Sequence, residues 1–344
     1  LNKPLHNLST PTTTDLLQLI ESEMKDVVNS IDVSLNPIIS YHLGWQDENG
    51  IPTNNTKADH TLGLACLLTC ISLGGDPQKA LPASVSVEMI RGFCEIHDDV
   101  QNGMPKRSGK NAVWWIWGPA QAINVGDGMH ALSRLALFRL QFNDTSAEII
   151  SQAAQLLDKA TIQLCDGRFK ELEHQERIDI TVEDYINMAS SKTGALLSCS
   201  MQLGALLASV KEKQLKALDL CGKNIGIVLQ IKEDLAHIWE TQDDDFGKDN
   251  VVLNKNKLLP IAYALETADV HLKRQIGDIY FKRVLDPNDV LKIRDLLDSI
   301  GVKQQCESIA NQYMNQAKEA IFNSGTQPKG NKLLSELVNF LLNS

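Results

Sequence analysis

The sequence lacks several features that would place it in common classes of protein. It has no run of 18 apolar residues, so it predicts no membrane-spanning helix, and its first residues show no apolar segment of a signal peptide. It has no excess of basic residues: the formal net charge is −10, which argues against a nucleic-acid-binding surface. It also lacks a convincing alternation of polar and apolar residues, so no β-strand is predicted.

The cysteines lack the arrangement of a metal site or a disulfide framework. Their count of seven is odd and their positions are scattered. Cys66 and Cys70 are four residues apart, but no second pair and no histidine spacing completes a zinc site. Most cysteines lie within apolar helical patterns, which is typical of small buried side chains in a reducing compartment. We therefore expect a cytoplasmic protein.

Apolar residues recur at helical spacing along most of the chain. The 344 residues are 43% hydrophobic and 22% charged, as in ordinary globular proteins. We predict an all-α bundle of roughly a dozen helices, including a first helix over 16–31 with its cap near Thr14 and an unbroken helix over 182–210. Residues 1–13 are polar and predict a loose N-terminal arm. No linker divides residues 14–344, which predict a single all-α domain.

Two neighbouring acidic residues end the central apolar helix. The helical pattern of residues 85–96 leads into Asp98 and Asp99, and Asn102 follows one turn beyond Asp98 on the same face. Side-chain oxygens of this kind at a helix end are ligands that Mg²⁺ prefers. The cations that follow are Lys106, Arg107 and Lys110. Because such cations bind phosphate oxygens, the stretch predicts a phosphate or diphosphate ligand held together with Mg²⁺.

A second acidic pair closes another apolar helix about 135 residues further along the chain. This pair is Glu233 and Asp234, and two helices that each end in such a pair can hold metal between them across a bundle cavity. Lys192 lies inside a third apolar helix. A lysine in this setting either extends along apolar neighbours to the surface or supplies a cavity cation for phosphate. Its apolar surroundings favour the cavity.

Taken in order, these pieces resemble the trans-polyprenyl diphosphate synthase family, which includes farnesyl and geranylgeranyl diphosphate synthases. The resemblance covers roughly residues 57–260, and the ordered set is specific although each piece alone is weak. The pieces are IHDDVQ at 96–101, AINVGD at 122–127, KTGALL at 192–197, LQI at 229–231 with ED at 233–234, GK at 247–248 and LP at 259–260. The resemblance implies an isoprenoid-synthase-type bundle around a central cavity, an allylic prenyl diphosphate as substrate, Mg²⁺ (usually three ions) and a homodimer.

The resemblance also implies roles for individual residues. The implied metal ligands are Asp98, Asp99, Asn102, Glu233 and Asp234. The residues implied to act in catalysis are Asp98, Asp99, Lys192, Gln230 and Asp234, with Gln230 near the reacting carbons. The residues predicted to bind substrate are Lys57, Phe93, Cys94, Glu95, Arg107, Thr193 and Lys248. The resemblance implies this role for the others, whereas Glu95 is included because it lies one helical turn before the aspartate pair on the same face. Within this last group, Phe93 and Cys94 are expected to line the hydrophobic pocket.

Several departures from the family pattern bear on function. His60 and Ser108 stand where the family has arginines for its second substrate, isopentenyl diphosphate. Losing two charge-assisted hydrogen bonds costs about 3–6 kcal/mol, roughly 10²–10⁴ in affinity. Glu95 stands where the family usually has an apolar residue. Three roles are open for it: an extra metal ligand, a base that takes a proton from a carbocation, or a side chain turned to a polar neighbour or to solvent. Arg168 and Glu171 stand where many relatives have Gln and Asp, and Arg168 is a candidate replacement contact for diphosphate.

Three functions remain open at this point. The favoured one is a terpene-synthase-like enzyme that ionises an allylic diphosphate and then cyclises or quenches it without isopentenyl diphosphate; the altered second pocket and Glu95 favour it. The alternative is a chain-elongating synthase, which is favoured by Lys57, Arg107, Lys192 and Gln230. The third is a non-catalytic subunit, which is favoured by the weakened acidic motifs, where Asn102 and Glu233 replace aspartates.

Overall fold

The protein is described here by a computed structural model covering residues 11–53, 60–240, 251–323 and 328–343. These residues form a helical bundle, as predicted. The helices are α1 (Thr13–Val28), α2 (Asn36–His42), α3 (Thr61–Ser72), α4 (Pro77–Gln101), α5 (Val113–Trp117), α6 (Pro119–Phe138), α7 (Ala147–Gln175), α8 (Val182–Ala189), α9 (Ala195–Leu207), α10 (Glu212–Trp239), α11 (Leu259–Thr267), α12 (Val270–Tyr280), α13 (Pro287–Ser299), α14 (Val302–Asn323) and α15 (Pro328–Asn343).

Helix α4 lies at the centre of the bundle, where it packs against α3, α6 and α9. Every residue from Ala80 to Ile90 is buried. The helix begins at Pro77, ahead of the helical pattern of residues 85–96, because the Asp76 carboxylate accepts a 3.0 Å hydrogen bond from the Gln78 amide and proline suits a first helical turn. It ends at Gln101, so both acidic residues of the first pair lie in its last turn.

The first helix also begins earlier than predicted. Thr12, rather than Thr14, is its N-cap: the Thr12 hydroxyl accepts a hydrogen bond from the Asp15 amide, and the Asp15 carboxylate accepts one from the Thr12 amide. The helix ends at Val28 instead of residue 31. Residues 1–10 lie outside the described residues, so the N-terminal arm and the single-domain boundary stay predictions.

The helix predicted over 182–210 is interrupted, which corrects the sequence-based expectation. Residues Ser190–Gly194 form a π-helical turn between α8 and α9. Two glycines on neighbouring helices let this turn pack closely: a Cβ on Gly167 would lie 2.5 Å from the Lys192 amide nitrogen, and one on Gly226 would lie 2.4 Å from the Gly194 Cα. Apolar periodicity cannot reveal the interruption, because a π turn adds a residue without changing the composition.

A short β-hairpin after α4 also differs from the prediction that no strand occurs. Strand β1 (Lys106–Arg107) pairs antiparallel with β2 (Lys110–Asn111). The two residues between them have positive φ, 50° at Ser108 and 79° at Gly109, as two-residue hairpin turns require. The Tyr41 hydroxyl donates a 2.7 Å hydrogen bond to the Asn111 carbonyl and holds the hairpin against α2.

The two acidic pairs lie next to different apolar clusters of the core. The largest apolar cluster surrounds α4 and includes Cys94 and Ile96, next to the first pair. A second cluster joins α8 and α11–α14 to the C-terminal half of α10, and it includes Ile231, next to the second pair. None of the helices within the described residues is long and apolar enough to cross a membrane.

Candidate active site

A cavity of about 440 Å³ lies where α4 and α10 end. Its walls also come from the hairpin, α7 and the π-helical turn. It brings together ten of the residues that the sequence predicts to act, namely Cys94, Glu95, Asp98, Asp99, Asn102, Arg107, Lys192, Thr193, Gln230 and Glu233. Acidic and basic side chains that are far apart in sequence therefore face one space, as a site for a metal and a phosphate requires.

Arg107 on β1 binds both aspartates of the first pair. Its Nε donates hydrogen bonds to the two carboxylate oxygens of Asp99 at 2.9 and 3.1 Å, and its Nη2 lies 3.3 Å from Oδ2 of Asp98. Burial raises the pKa of Asp99 to about 6, although Arg107 acts in the opposite direction. The charged form of Asp99 is thus costly in this setting and depends on a nearby cation.

Asn102 caps the C-terminus of α4 and contacts the same aspartate pair. Its Nδ2 donates a 2.7 Å hydrogen bond to Oδ1 of Asp98, which confirms that the two side chains share a helical face. Its carbonyl Oδ1 is buried and has no hydrogen-bond partner among the described residues. Because buried acceptors are normally satisfied, this oxygen is suited to a water molecule or a cation.

Glu171 on α7 links two cations of the cavity. Its Oε1 accepts a 2.6 Å hydrogen bond from Lys192, and its Oε2 accepts a 2.7 Å hydrogen bond from Arg168. Burial opposes ionisation of this carboxyl, but Lys192 and Arg168 outweigh it and lower the pKa of Glu171 to about 2. Lys192 therefore lies in the cavity, as predicted from its apolar surroundings, and Glu171 fixes its position.

Gln230 is held between the π-helical turn and the second acidic pair. Its Oε1 accepts a 2.6 Å hydrogen bond from the Thr193 hydroxyl, and its Nε2 donates to Oδ1 of Asp234 at 3.0 Å. The other oxygen of Asp234 accepts a 2.8 Å hydrogen bond from the Leu259 amide at the start of α11. Burial raises the pKa of Asp234 to about 6. Asp234 lies behind the cavity wall, whereas Glu233 lines the cavity itself.

Glu95 turns to polar neighbours, one of the three alternatives left open by the sequence. Its carboxylate lies 3.3 Å from Nε2 of His42 and 3.7 Å from Nη1 of Arg91. Burial alone would raise its pKa, but Arg91, His42 and Arg107 together hold the pKa of Glu95 well below its usual range. Glu95 is thus an ionised group within a charged wall.

A second cavity, of about 900 Å³, lies on the far side of that wall. It shares with the first cavity the residues Arg91, Glu95, Lys106, Arg107 and Ser108. His60 is among its other lining residues, and Nε2 of His60 lies 2.7 Å from the Glu21 carboxylate. Burial alone would lower the pKa of His60, but Glu21 and Glu88 outweigh it and raise the pKa to about 9. The imidazole is therefore positively charged at neutral pH.

Some predicted residues do not line the first cavity. Phe93 packs against the rings of His97 and His130, with centroid separations of 4.7 and 5.2 Å. Lys57 and Lys248 lie outside the described residues. Sequence reasoning missed Arg91 and His42 in the charged wall. Arg91 carries a signal, since it lies one helical turn before Glu95, but His42 contacts Glu95 only through the fold.

The donor atoms around the first cavity suit Mg²⁺. Asp98, Asp99 and Asn102 present hard oxygen ligands on one wall and Glu233 presents another, and the unpartnered Asn102 carbonyl is a ready acceptor for a cation. Within the part of the chain that the structure describes, no group of three or more acidic, histidine or cysteine residues forms a ready-made metal site. Mg²⁺ commonly binds through one or two carboxylates and completes its shell with water and substrate phosphates, so this set fits.

Comparison with known proteins agrees with the geometry. The sequence profile of the polyprenyl synthetase family matches residues 55–297. The chain belongs to this family. It is therefore an enzyme of the isoprenoid synthase class, with the helical bundle of that class. The family resemblance and the fold predicted from the sequence are confirmed.

Individual relatives show how far this similarity extends. The chain is 26% identical over 330 residues to the (2E,6E)-farnesyl diphosphate synthase of Mycobacterium tuberculosis, across 94% of this chain and 90% of that one. It is 28% identical over 286 residues to the short chain isoprenyl diphosphate synthase of Methanocaldococcus jannaschii, across 82% of each. The solved polyprenyl synthetase from Streptomyces coelicolor A3(2) matches with a TM-score of 0.86 at 26% identity, across 96% of this chain and 100% of that one.

Proposed function

We propose that the enzyme lengthens prenyl chains by condensing isopentenyl diphosphate with an allylic prenyl diphosphate. The observation that carries this proposal is the pair of adjacent cavities, which share the wall formed by Arg91, Glu95, Lys106, Arg107 and Ser108. Two substrates that must react with each other need two neighbouring sites. The names of the curated relatives, which are diphosphate synthases, support the same reading.

The terpene-synthase-like function favoured by the sequence has less support than chain elongation. It rested on the loss of two arginines, at His60 and Ser108. His60 retains a positive charge at neutral pH. The second cavity is also lined by four cations, Arg91, Lys106, Arg107 and Lys110, which together with His60 outnumber its three carboxylates, Asp47, Glu48 and Glu95. A cavity with this lining still suits a diphosphate group, so the altered motifs do not argue for an enzyme that dispenses with isopentenyl diphosphate.

We further propose that Asp98, Asp99 and Asn102, together with Glu233, hold Mg²⁺. The number of ions in this proposal is three, as the resemblance implies. When bound, the metal would neutralise the negative charge of the diphosphate group and so favour its departure from the allylic carbon. Asp234 contributes indirectly, because both of its oxygens accept hydrogen bonds from Gln230 and the Leu259 amide. Its role is to hold Gln230 in one orientation toward the cavity.

The remaining cavity residues bind and orient the substrate in this proposal. Lys192 supplies a cation at a position fixed by Glu171. The Thr193 hydroxyl donates to Gln230, so the side-chain amide of Gln230 presents a fixed edge to the reacting carbons. The apolar part of the allylic chain lies against Cys94, Leu164 and Leu196, which line the same cavity. Lys57 and Lys248 stay predicted substrate contacts.

We also propose that the chain forms a homodimer through α6 and α7. These neighbouring helices, with the 3-10 turn after α6, expose large apolar side chains that a second copy would cover. These side chains are Ile123, Leu135, Phe138, Phe142, Ile162 and Phe169. Light scattering should show a dimer, and Phe169→Asp should weaken it. Val270→Asp, at a still more exposed position on α12, is the control and should leave the mass unchanged.

The test of function is product analysis with Mg²⁺ and allylic diphosphates of C10 to C20, each with and without isopentenyl diphosphate. We expect longer prenyl diphosphates, formed only when isopentenyl diphosphate is present. The Asp98→Ala variant should give neither product nor diphosphate release. Hydrocarbons or alcohols formed without isopentenyl diphosphate would instead establish the terpene-synthase-like function, and the elongation proposal would fail.

A further inference from the structure

Arg168 on α7 reaches into the first cavity with one edge of its guanidinium group held and the other open. A single nitrogen, Nη1, lies 2.8 Å from Oδ1 of Asp98 and donates a 2.7 Å hydrogen bond to Oε2 of Glu171. Nε and Nη2 have no acceptor among the described residues, and they are not buried atoms. The side chain lines the cavity and is about one-fifth exposed.

Arg107 is occupied differently. Its Nε and Nη2 both bind the aspartate pair, so the edge that could form a two-pronged contact is used within the protein. Lys192 is a point charge bound to Glu171. Of these three cations, Arg168 has the guanidinium edge of Nε and Nη2 available to a ligand, and this fork matches the spacing of two phosphate oxygens.

We propose that Arg168 is a substrate-binding residue that contacts the diphosphate of the allylic substrate through Nε and Nη2. Glu171 positions it from behind, and Asp98 balances its charge until the substrate enters. The inference rests on the proposed function, because it assigns a residue to the diphosphate of that same site.

The experiment is calorimetric titration of the whole protein with inorganic pyrophosphate, first with EDTA and then with Mg²⁺. Loss of one charge-assisted contact should weaken pyrophosphate binding by about 10- to 100-fold in Arg168→Gln. Arg168→Lys keeps the positive charge but loses the two-pronged guanidinium edge, so its affinity for pyrophosphate should lie between those of the wild type and Arg168→Gln. The matched control is Arg139→Gln, since Arg139 pairs with Glu23 at 2.9 Å and does not line either cavity.

The competing explanation is that Arg168 acts only as a counter-ion for Asp98. In that case pyrophosphate would bind to Arg168→Gln in the presence of EDTA as tightly as it binds to the wild type. Pyrophosphate affinity within twofold of the wild type in a folded Arg168→Gln variant would overturn the proposal. So would equal affinities for Arg168→Lys and the wild type, because the two-pronged contact would then contribute nothing.

The outcomes separate this inference from the proposed function. Product analysis decides whether isopentenyl diphosphate is condensed, whereas pyrophosphate binding requires no second substrate. Weaker pyrophosphate binding in Arg168→Gln would support the contact even in an enzyme that only ionises its substrate. Unchanged pyrophosphate binding alongside intact chain elongation would reject the contact and leave the function standing.

Discussion

The side-chain amide of Asn102 donates a 2.7 Å hydrogen bond to Oδ1 of Asp98 and leaves its own carbonyl oxygen buried without a partner among the described residues. An amide at this position therefore does two things: it stabilises the neighbouring carboxylate and keeps one acceptor available. An aspartate, as in the family pattern, would provide more negative charge for a metal but would repel Asp98 in the free enzyme.

Asn102→Asp should therefore lower the Mg²⁺ concentration needed for half-maximal turnover, by about tenfold if the added charge contributes about 1.4 kcal/mol. Mg²⁺ should also raise the melting temperature more in this variant than in the wild type, because the ion stabilises the state that binds it. Asn124→Asp, at an exposed site on α6, is the matched control. A higher Mg²⁺ requirement in Asn102→Asp would mean that residue 102 is not a metal ligand.

Ser108→Arg should strengthen the binding of isopentenyl diphosphate. Ser108 occupies the hairpin turn at φ 50° and lines both cavities. One added charge-assisted contact corresponds to about 1.5–3 kcal/mol, or at least a tenfold gain in affinity measured by calorimetry. Ser108→Gln adds a long side chain at the same strained position without the charge, so it should leave the affinity nearly unchanged. An equal gain in both variants would show that charge is not what the pocket lacks.

The sequence predicted the helices, the family and most of the cavity, because these depend on periodicity and on spaced acidic and basic residues. It could not predict which carboxylates face the cavity. Glu233 and Asp234 are adjacent, yet only Glu233 lines it, since Asp234 is drawn back by Gln230 and the Leu259 amide. It also missed the charge state of His60, which depends on Glu21 and Glu88, residues brought near it by the fold.

His60 makes folding stability depend on pH at mildly alkaline values. Its folded pKa of about 9 lies above the ordinary 6.5, so its contribution is fully present below pH 6.5 and is lost as pH rises through 9. The shift corresponds to about 3 kcal/mol of unfolding free energy. Denaturant titrations between pH 6.5 and 9.5 should show this decline, and His60→Gln should flatten it. His271→Gln, at an exposed site on α12, should retain the wild-type decline. If the wild type and His60→Gln lose stability in parallel, another group is responsible.

Gly167→Ala should disturb the site without changing any residue that lines the cavity. A Cβ at this position would lie 2.5 Å from the Lys192 amide nitrogen and 2.8 Å from its Cα, so backbone must move. The movement would separate Lys192 from Glu171, which are joined at 2.6 Å. We expect a loss of about 1–3 kcal/mol in unfolding free energy. The KM for the allylic diphosphate should rise as well, because the lysine no longer has a fixed position.

The matched control for this variant is Gly277→Ala on α12, where the nearest atom to an added Cβ is 3.9 Å away. Here the substitution should be neutral or stabilise the helix by up to about 1 kcal/mol, since alanine loses less backbone entropy than glycine on folding. The comparison separates helix propensity from the close approach of α7 to the π-helical turn. If Gly167→Ala is as stable as Gly277→Ala and has an unchanged KM, α7 and the turn are not tightly packed, and Lys192 does not depend on that packing for its position.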